Sequence, residues 1–145
     1  MDATDYRILS ALHDNARITV SELSRTIAMS QPAVTERIRK LEEQGVIQGY
    51  KAKLGPDKLG KHATAFILFK AGNCGEFERF CEGNPGIVDL YRLGGEYNYL
   101  MKAHAESTEA LERLIESCSA YGFSTTLVVM STRFEDKFPA SELTE

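Results

Sequence analysis

The stretch Ile18 to Tyr50, ITVSELSRTIAMSQPAVTERIRKLEEQGVIQGY, decides how the amino-terminal part of this chain folds. Val20, Leu23 and Ile27 recur at helical spacing, and after Met29 and Ser30 a second stripe begins with Val34, Ile38 and Leu41. Two helices joined by so few residues have helix-turn-helix spacing. Local chemistry sets their ends. Thr19 and Ser30 are N-caps whose hydroxyls accept a free first-turn N–H, Pro32 sits where its missing N–H costs nothing, and Gly45 accepts the left-handed conformation that ends a helix. Working outward, Ile8, Leu9 and Leu12 mark an earlier helix. Three short helices are therefore predicted within residues 1–53, the helix-turn-helix pair spanning about 20–44.

With Val34, Ile38 and Leu41 facing a core, the last of these helices turns Pro32, Thr35, Glu36, Arg39 and Lys40 outward and exposes Gln31 and Ala33 at its open end. In helix-turn-helix docking, such residues meet base edges while flanking donors hold phosphates. Gln31 suits adenine and Arg39 suits guanine. Glu36 accepts from the cytosine amino group, and Ala33 or the Thr35 methyl touches a thymine methyl. Arg25, Lys40, Lys51 and Lys53 serve phosphates, and Ser30 with the first free N–H groups of its helix offers a further phosphate site. A merely solvated helix face would explain Arg39 or Lys40 alone, but the three-helix setting favours base reading. Arg37 lies nearer the core side and is expected to bridge to an acidic neighbour.

Charge is distributed to match. The 145 residues carry a net charge of −4, yet residues 1–53 hold eight Lys/Arg against seven Asp/Glu, and residues 54–145 hold nine against fourteen. Between 25 and 53 the basic surplus is three. The longest apolar run, Ala65 to Phe69, is far short of the roughly 18 residues that span a bilayer, and the acidic opening Met1-Asp2-Ala3-Thr4-Asp5 does not read as a secretory signal. No membrane partner and a cytoplasmic location are expected.

Residues 54–62, with Gly55, Pro56 and Gly60 among polar neighbours, read as a linker. Beyond it, ATAFILFK, GEFERFCEGN, GIVDLYRL, NYLMKAHA, STEALERLIESCSAYG and STTLVVMS alternate strand-like and helix-like runs in the order β-α-β-β-α-β. This is the ferredoxin-like arrangement, with two helices over one face of a four-stranded antiparallel sheet, and it assigns 63–145 to a second domain of an α+β protein. Phe77, Phe80 and Cys81, then Leu111, Leu114, Ile115 and Cys118, form the helix stripes that lie on the sheet. The strands are apolar on both faces, as in Phe66-Ile67-Leu68-Phe69 and Leu127-Val128-Val129-Met130, so the helix-free face is expected to cover another copy of the chain.

The quoted stretch, followed by a β-α-β-β-α-β domain, resembles the Lrp/AsnC (feast/famine) transcription regulators over nearly the whole chain, and the opening DATDYRILSALHDNARIT matches the family's first helix. The run S-x-P…V-x-x-R-I-x-x-L-E-x-x-G-V-I carries the resemblance most specifically. It implies a winged-type helix-turn-helix that binds double-stranded DNA and a carboxy-terminal module that assembles dimers, often octamers, with a small amino acid held between dimers. The family's ligand loop G-x-aromatic-D-Y reads Gly95-Glu96-Tyr97-Asn98-Tyr99 here. Gly94 and Gly95 let backbone approach a carboxylate, and Ser124 and Thr126 match the family's paired hydroxyls. Asn98 offers an ammonium a neutral carbonyl in place of a carboxylate, so Asn98→Asp is expected to strengthen amino-acid binding.

Other functions find less support. His13, His62 and His104 have no nearby Ser/Asp or Cys/Asn arrangement recognisable in the sequence, and no phosphate-binding glycine motif or H-E-x-x-H occurs, so the chain is not read as an enzyme. Cys74, Cys81 and Cys118 cannot all pair within one chain and lack C-x-x-C spacing, so reduced thiols are expected, with no metal and no cofactor, ahead of a redox or metal sensor. A ligand-independent architectural protein of the same fold is the alternative that the altered loop keeps open.

Overall fold

In the computed structural model, which describes residues 1–139, the amino-terminal signals give α1 (Ala3–Asp14), α2 (Val20–Ile27) and α3 (Gln31–Glu43). Each begins at a side-chain cap. Asp2 accepts from the Asp5 N–H and Thr19 from the Glu22 N–H, each in a reciprocal capping box, while Ser30 accepts from the Ala33 N–H. Ile8, Leu23, Ile27, Val34 and Leu41 form the buried core, with Leu9, Leu12, Ile18, Val20, Ile38 and Ile47 packed against it. The tight α2–α3 turn is made by Ala28, which takes φ 60° and ψ 47°. Gly45, at φ 70°, follows α3 as expected.

The second unit contains a 3-10 turn (Pro56–Leu59), β1 (Ala63–Ala71), α4 (Cys74–Gly83), β2 (Ile87–Arg92), β3 (Tyr99–Ala105), α5 (Thr108–Cys118), a 3-10 turn (Ser119–Tyr121) and β4 (Gly122–Val128). The sheet order is β2-β3-β1-β4, every pair antiparallel, which is the expected ferredoxin-like topology. Alternation along β1 buries Ala65, Ile67, Phe69 and Ala71 under α4 and α5. Phe77 stacks on Phe69 at 4.2 Å between ring centres and tilts against Tyr99 at 5.0 Å. Burying each such side chain contributes about 1.5–3 kcal/mol.

The last strand departs from the sequence reading of STTLVVMS. It starts two residues earlier, at Gly122, and its ladder ends at Val128. Gly122 has φ 155°, and a Cβ there would stand 1.9 Å from the Lys70 carbonyl oxygen, so only glycine lets β4 close onto β1.

On the helix-free face, Phe66, Leu68 and Leu100 are half-buried while Tyr91, Phe123 and Leu127 are 53%, 81% and 52% exposed. The apolar side chains that the sequence led one to expect buried on both faces are therefore open on this face of the single chain.

The chain divides into Met1–Lys53 with the segment from Phe134 onward, and Leu54–Arg133. The sequence predicts a linker at 54–62 and a second domain over 63–145. In the structure 54–62 belong to the second unit, residues 134–139 group with the first, and 140–145 lie outside the described residues. The regrouping has a local cause: Asp136 lies 3.8 Å from Lys53, and the Phe138 ring meets His13 at 5.4 Å. No helix among the described residues is long and apolar enough to cross a membrane.

Candidate nucleic-acid interface

Burial of Val34 and Leu41 fixes the rotation of α3, and the opposite side faces solvent. Gln31, Pro32, Thr35 and Glu36 are all exposed and line one shallow concavity at the head of the helix, so four of the residues expected to meet bases are brought together. Arg39 and Lys40 are exposed about one turn further on. Ala33 is half-buried, not exposed as expected, because it faces the concavity lined by Met29, Arg37 and Leu41. The Ser30 hydroxyl accepts the Ala33 N–H at 3.4 Å and so already serves as the cap.

Among the flanking cations, Arg25 is exposed and donates from Nε to the Ser21 carbonyl at 3.4 Å, and Lys51 is exposed. Lys53 faces Asp136. Arg37 bridges to acidic neighbours as expected: Nη1 donates to both Asp2 carboxylate oxygens at 2.9 Å and to Asp5 Oδ1 at 2.7 Å, tying α3 to α1. The Asp5 N–H and then Arg37 hold the Asp2 carboxyl below its usual range.

Arg39 does not stand free. Its Nε donates to Glu36 Oε2 at 2.8 Å, its Nη2 to Glu36 Oε1 at 2.6 Å, and its Nη1 to Glu43 Oε1. Lys40 Nζ lies 3.9 Å from Glu36 Oε1. The hydrogen bonds that Arg39 donates to Glu36 raise the arginine pKa further, and Arg39 in turn lowers that of Glu36. Nearby, the Tyr50 hydroxyl donates to Glu42 at 2.8 Å, and burial followed by that carboxylate pushes its pKa up to about 12.

In the second unit the loop before β3 carries Gly94, Gly95 and Glu96, all exposed, then Tyr97 and Asn98, both half-buried. The Asn98 side chain corrects the expectation of a carbonyl offered to a ligand. Its Oδ1 accepts the Ala71 N–H at 2.8 Å and its Nδ2 donates to the Ala71 carbonyl at 3.0 Å, so the amide pins the loop to the end of β1. Tyr97 also has a partner the sequence reading missed, its hydroxyl lying 2.8 Å from Thr125 Oγ1.

Ser124 and Thr126 pair with Phe69 and Ile67 and so point to the helix-covered side, whereas Thr125 pairs with Leu68 and points to the open face. Period-two alternation applied to the Ser124-Thr125-Thr126 run could have singled out Thr125, but Ala71 contributes only backbone and leaves no side-chain signal. Among the described residues no group of three side chains converges as metal ligands, and burial pushes the Cys81 thiol up to about 12.

Two family models match the chain: a winged helix-turn-helix DNA-binding domain over residues 1–48 and an Lrp/AsnC ligand-binding domain over 64–137. The HTH-type transcriptional regulator YezC of Bacillus subtilis is 43% identical over 132 residues, covering 91% of this chain and 95% of that protein. LrpC of the same organism is 35% identical, covering 90% and 92%. The solved structure of LrpC superposes with a TM-score of 0.87 at 34% identity, over 91% of this chain and 96% of that one. A feast or famine regulatory protein from M. tuberculosis, complexed with L-methionine, superposes with a TM-score of 0.85 at 26% identity, over 94% and 96%.

Proposed function

This chain belongs to the Lrp/AsnC family of DNA-binding transcriptional regulators, and from that premise we propose that α3 reads an operator through Gln31, Thr35, Glu36 and Arg39 in the major groove. Arg25, Lys40, Lys51 and the Ser30 end of the helix engage phosphates, with Pro32 and Ala33 shaping the contact surface. The observation that carries this reading is the exposed concavity of Gln31, Pro32, Thr35 and Glu36 on a helix whose other side is locked into a core. The role is regulatory and not enzymatic.

The helix-free sheet face covers a second copy, since Phe123, Leu127 and Tyr91 present there an apolar surface that a dimer would remove from water. Dimers join into octamers, and a small amino acid binds between dimers at the loop of Gly94, Gly95, Glu96, Tyr97 and Asn98, with Thr125 on the same face and Ser124 and Thr126 at the strand edge. The methionine bound by the M. tuberculosis relative supports this class of effector. Effector control requires the ligand to prefer one assembly over another. A ligand-independent architectural role is the second reading, favoured by the Asn98 side chain being spent on Ala71.

Two measurements test these statements. Selection of duplexes from a randomised pool, followed by footprinting, should give a defined sequence that Gln31→Ala and Thr35→Ala bind more weakly, and uniform protection of all duplexes would refute base reading. Light-scattering mass with and without a panel of amino acids should show an assembly that one of them changes. A 16 kDa species would refute oligomerisation, and an assembly indifferent to every amino acid would select the architectural reading.

A further inference from the structure

We propose that Glu36 and Glu43 are specificity-determining residues of α3, because together they hold the Arg39 guanidinium and cancel its charge so that it discriminates between bases without adding affinity for DNA in general. This deepens the reading of α3 as the DNA-reading helix and rests on it.

Arginine carries five N–H donors in a fixed planar fork. A guanidinium reads guanine or grips a phosphate through a pair of parallel N–H groups. In Arg39 the Nε/Nη2 pair is engaged bidentately by Glu36, and Nη1 is engaged by Glu43. One pair of donors is fully occupied by a carboxylate with matching geometry. The residues stand three and four positions apart on one helix, so the carboxylates bracket the guanidinium from both ends.

Consider a phosphate approaching this face. Lys40, 3.9 Å from Glu36, remains available to it, but from Arg39 the phosphate gains little, because Glu36 and Glu43 flank that guanidinium and Arg39 must give up bonds to reach it. A base edge poses a different problem. Glu36 is both the bidentate partner of Arg39 and a wall of the concavity shared with Gln31 and Thr35. A cytosine amino group donates to its remaining lone pairs, whereas a guanine O6 or thymine O4 in the same position faces a carboxylate. The trio thus favours an amino donor at that position and penalises a carbonyl acceptor. Exposed ion pairs are individually weak, at most about fivefold in an equilibrium constant, so DNA can displace them when the match is right.

The test uses the full chain with two probes: a random-sequence duplex and the duplexes recovered from a randomised pool by the wild-type protein. Glu43→Gln and the double variant Glu36→Gln/Glu43→Gln should bind the random duplex roughly three- to tenfold more tightly at low salt. Their log–log salt slope should steepen by about 1, as expected for one additional phosphate contact. The ratio of selected to random affinity should fall about tenfold. Glu42→Gln, which removes a neighbouring carboxylate bonded to Tyr50 and not to Arg39, controls for the change in net charge.

The proposal is overturned if random-duplex affinity and slope stay at wild-type values, if the discrimination ratio does not fall, or if Glu42→Gln reproduces the effect. A wild-type chain that fails to bind any duplex would instead sink the reading of α3 itself.

Discussion

Replacing Asn98 by aspartate exchanges one atom and reverses one hydrogen bond. The Nδ2 donor that meets the Ala71 carbonyl at 3.0 Å becomes a carboxylate oxygen pointed at a carbonyl oxygen, while the acceptor facing the Ala71 N–H at 2.8 Å is retained. Loss of the donated bond costs about 1 kcal/mol, and leaving the carbonyl of buried Ala71 without it adds about 1–2 kcal/mol. Charge strengthens the remaining bond by about 1 kcal/mol, so the net destabilisation at pH 7 is roughly 1–2 kcal/mol.

The sign of its pH dependence follows. Once protonated, the introduced carboxyl can donate to the Ala71 carbonyl, so the folded state favours the neutral form and raises this pKa above its unfolded value of about 3.9. The penalty is therefore absent below about pH 4 and grows as the pH rises through the folded pKa. Urea denaturation of wild type, Asn98→Asp and Asn98→Ala at fixed protein concentration, at pH 7 and pH 4, reads both quantities. An aspartate variant as stable as wild type at pH 7, or equally destabilised at both pH values, would refute the reasoning. Calorimetry with amino acids on the same variant tests the competing expectation that a carboxylate strengthens ligand binding. A gain in affinity would mean that the residue turns away from Ala71.

Two further outcomes are expected. Ala28→Gly should stabilise the first unit by a few tenths to about 1 kcal/mol, because Ala28 is held at φ 60° where a Cβ is penalised by slightly more than glycine's added chain entropy, and a lowered melting temperature would contradict this. Asp2, whose pKa is lowered in the fold, contributes stability that is complete above its unfolded value of 3.8 and is lost as the pH falls through the lower folded value. Asp2→Asn should accordingly flatten the acid limb of the melting profile, and an unchanged limb would count against the Asp5 and Arg37 contacts.

Much of this molecule is legible in its sequence because periodicity and caps act locally. Thr19, Ser30 and Gly45 announce the ends of their helices, and the inward stripe of Val34, Ile38 and Leu41 fixes which side chains α3 shows to solvent. Arg37 could be separated from Arg39 by the same rotation. What escaped has a common physical cause, in that the deciding partner is distant in sequence or has no side chain. Ala28 gives no sign of a left-handed turn, since alanine is otherwise a helix former. The engagement of Asn98 depends on the Ala71 backbone 27 residues away. Gly122 looked like the end of a helix, but the 3-10 turn at Ser119–Tyr121 lets the strand begin there. The bracketing of Arg39 is present in the sequence as Glu36-x-x-Arg39-x-x-x-Glu43, but helical spacing alone does not distinguish three side chains that form one unit from three that each face solvent.

The close approach of Gly122 to Lys70 has a consequence for how this strand tolerates variation. A core position responds in steps, each lost or added methylene changing the cost by a further increment. At Gly122 the obstacle is backbone, the carbonyl oxygen at 1.9 Å and its carbon at 2.9 Å from the first side-chain atom. Alanine, serine and valine therefore meet the same barrier, and the response is a threshold set by the presence of any side chain and almost independent of its size.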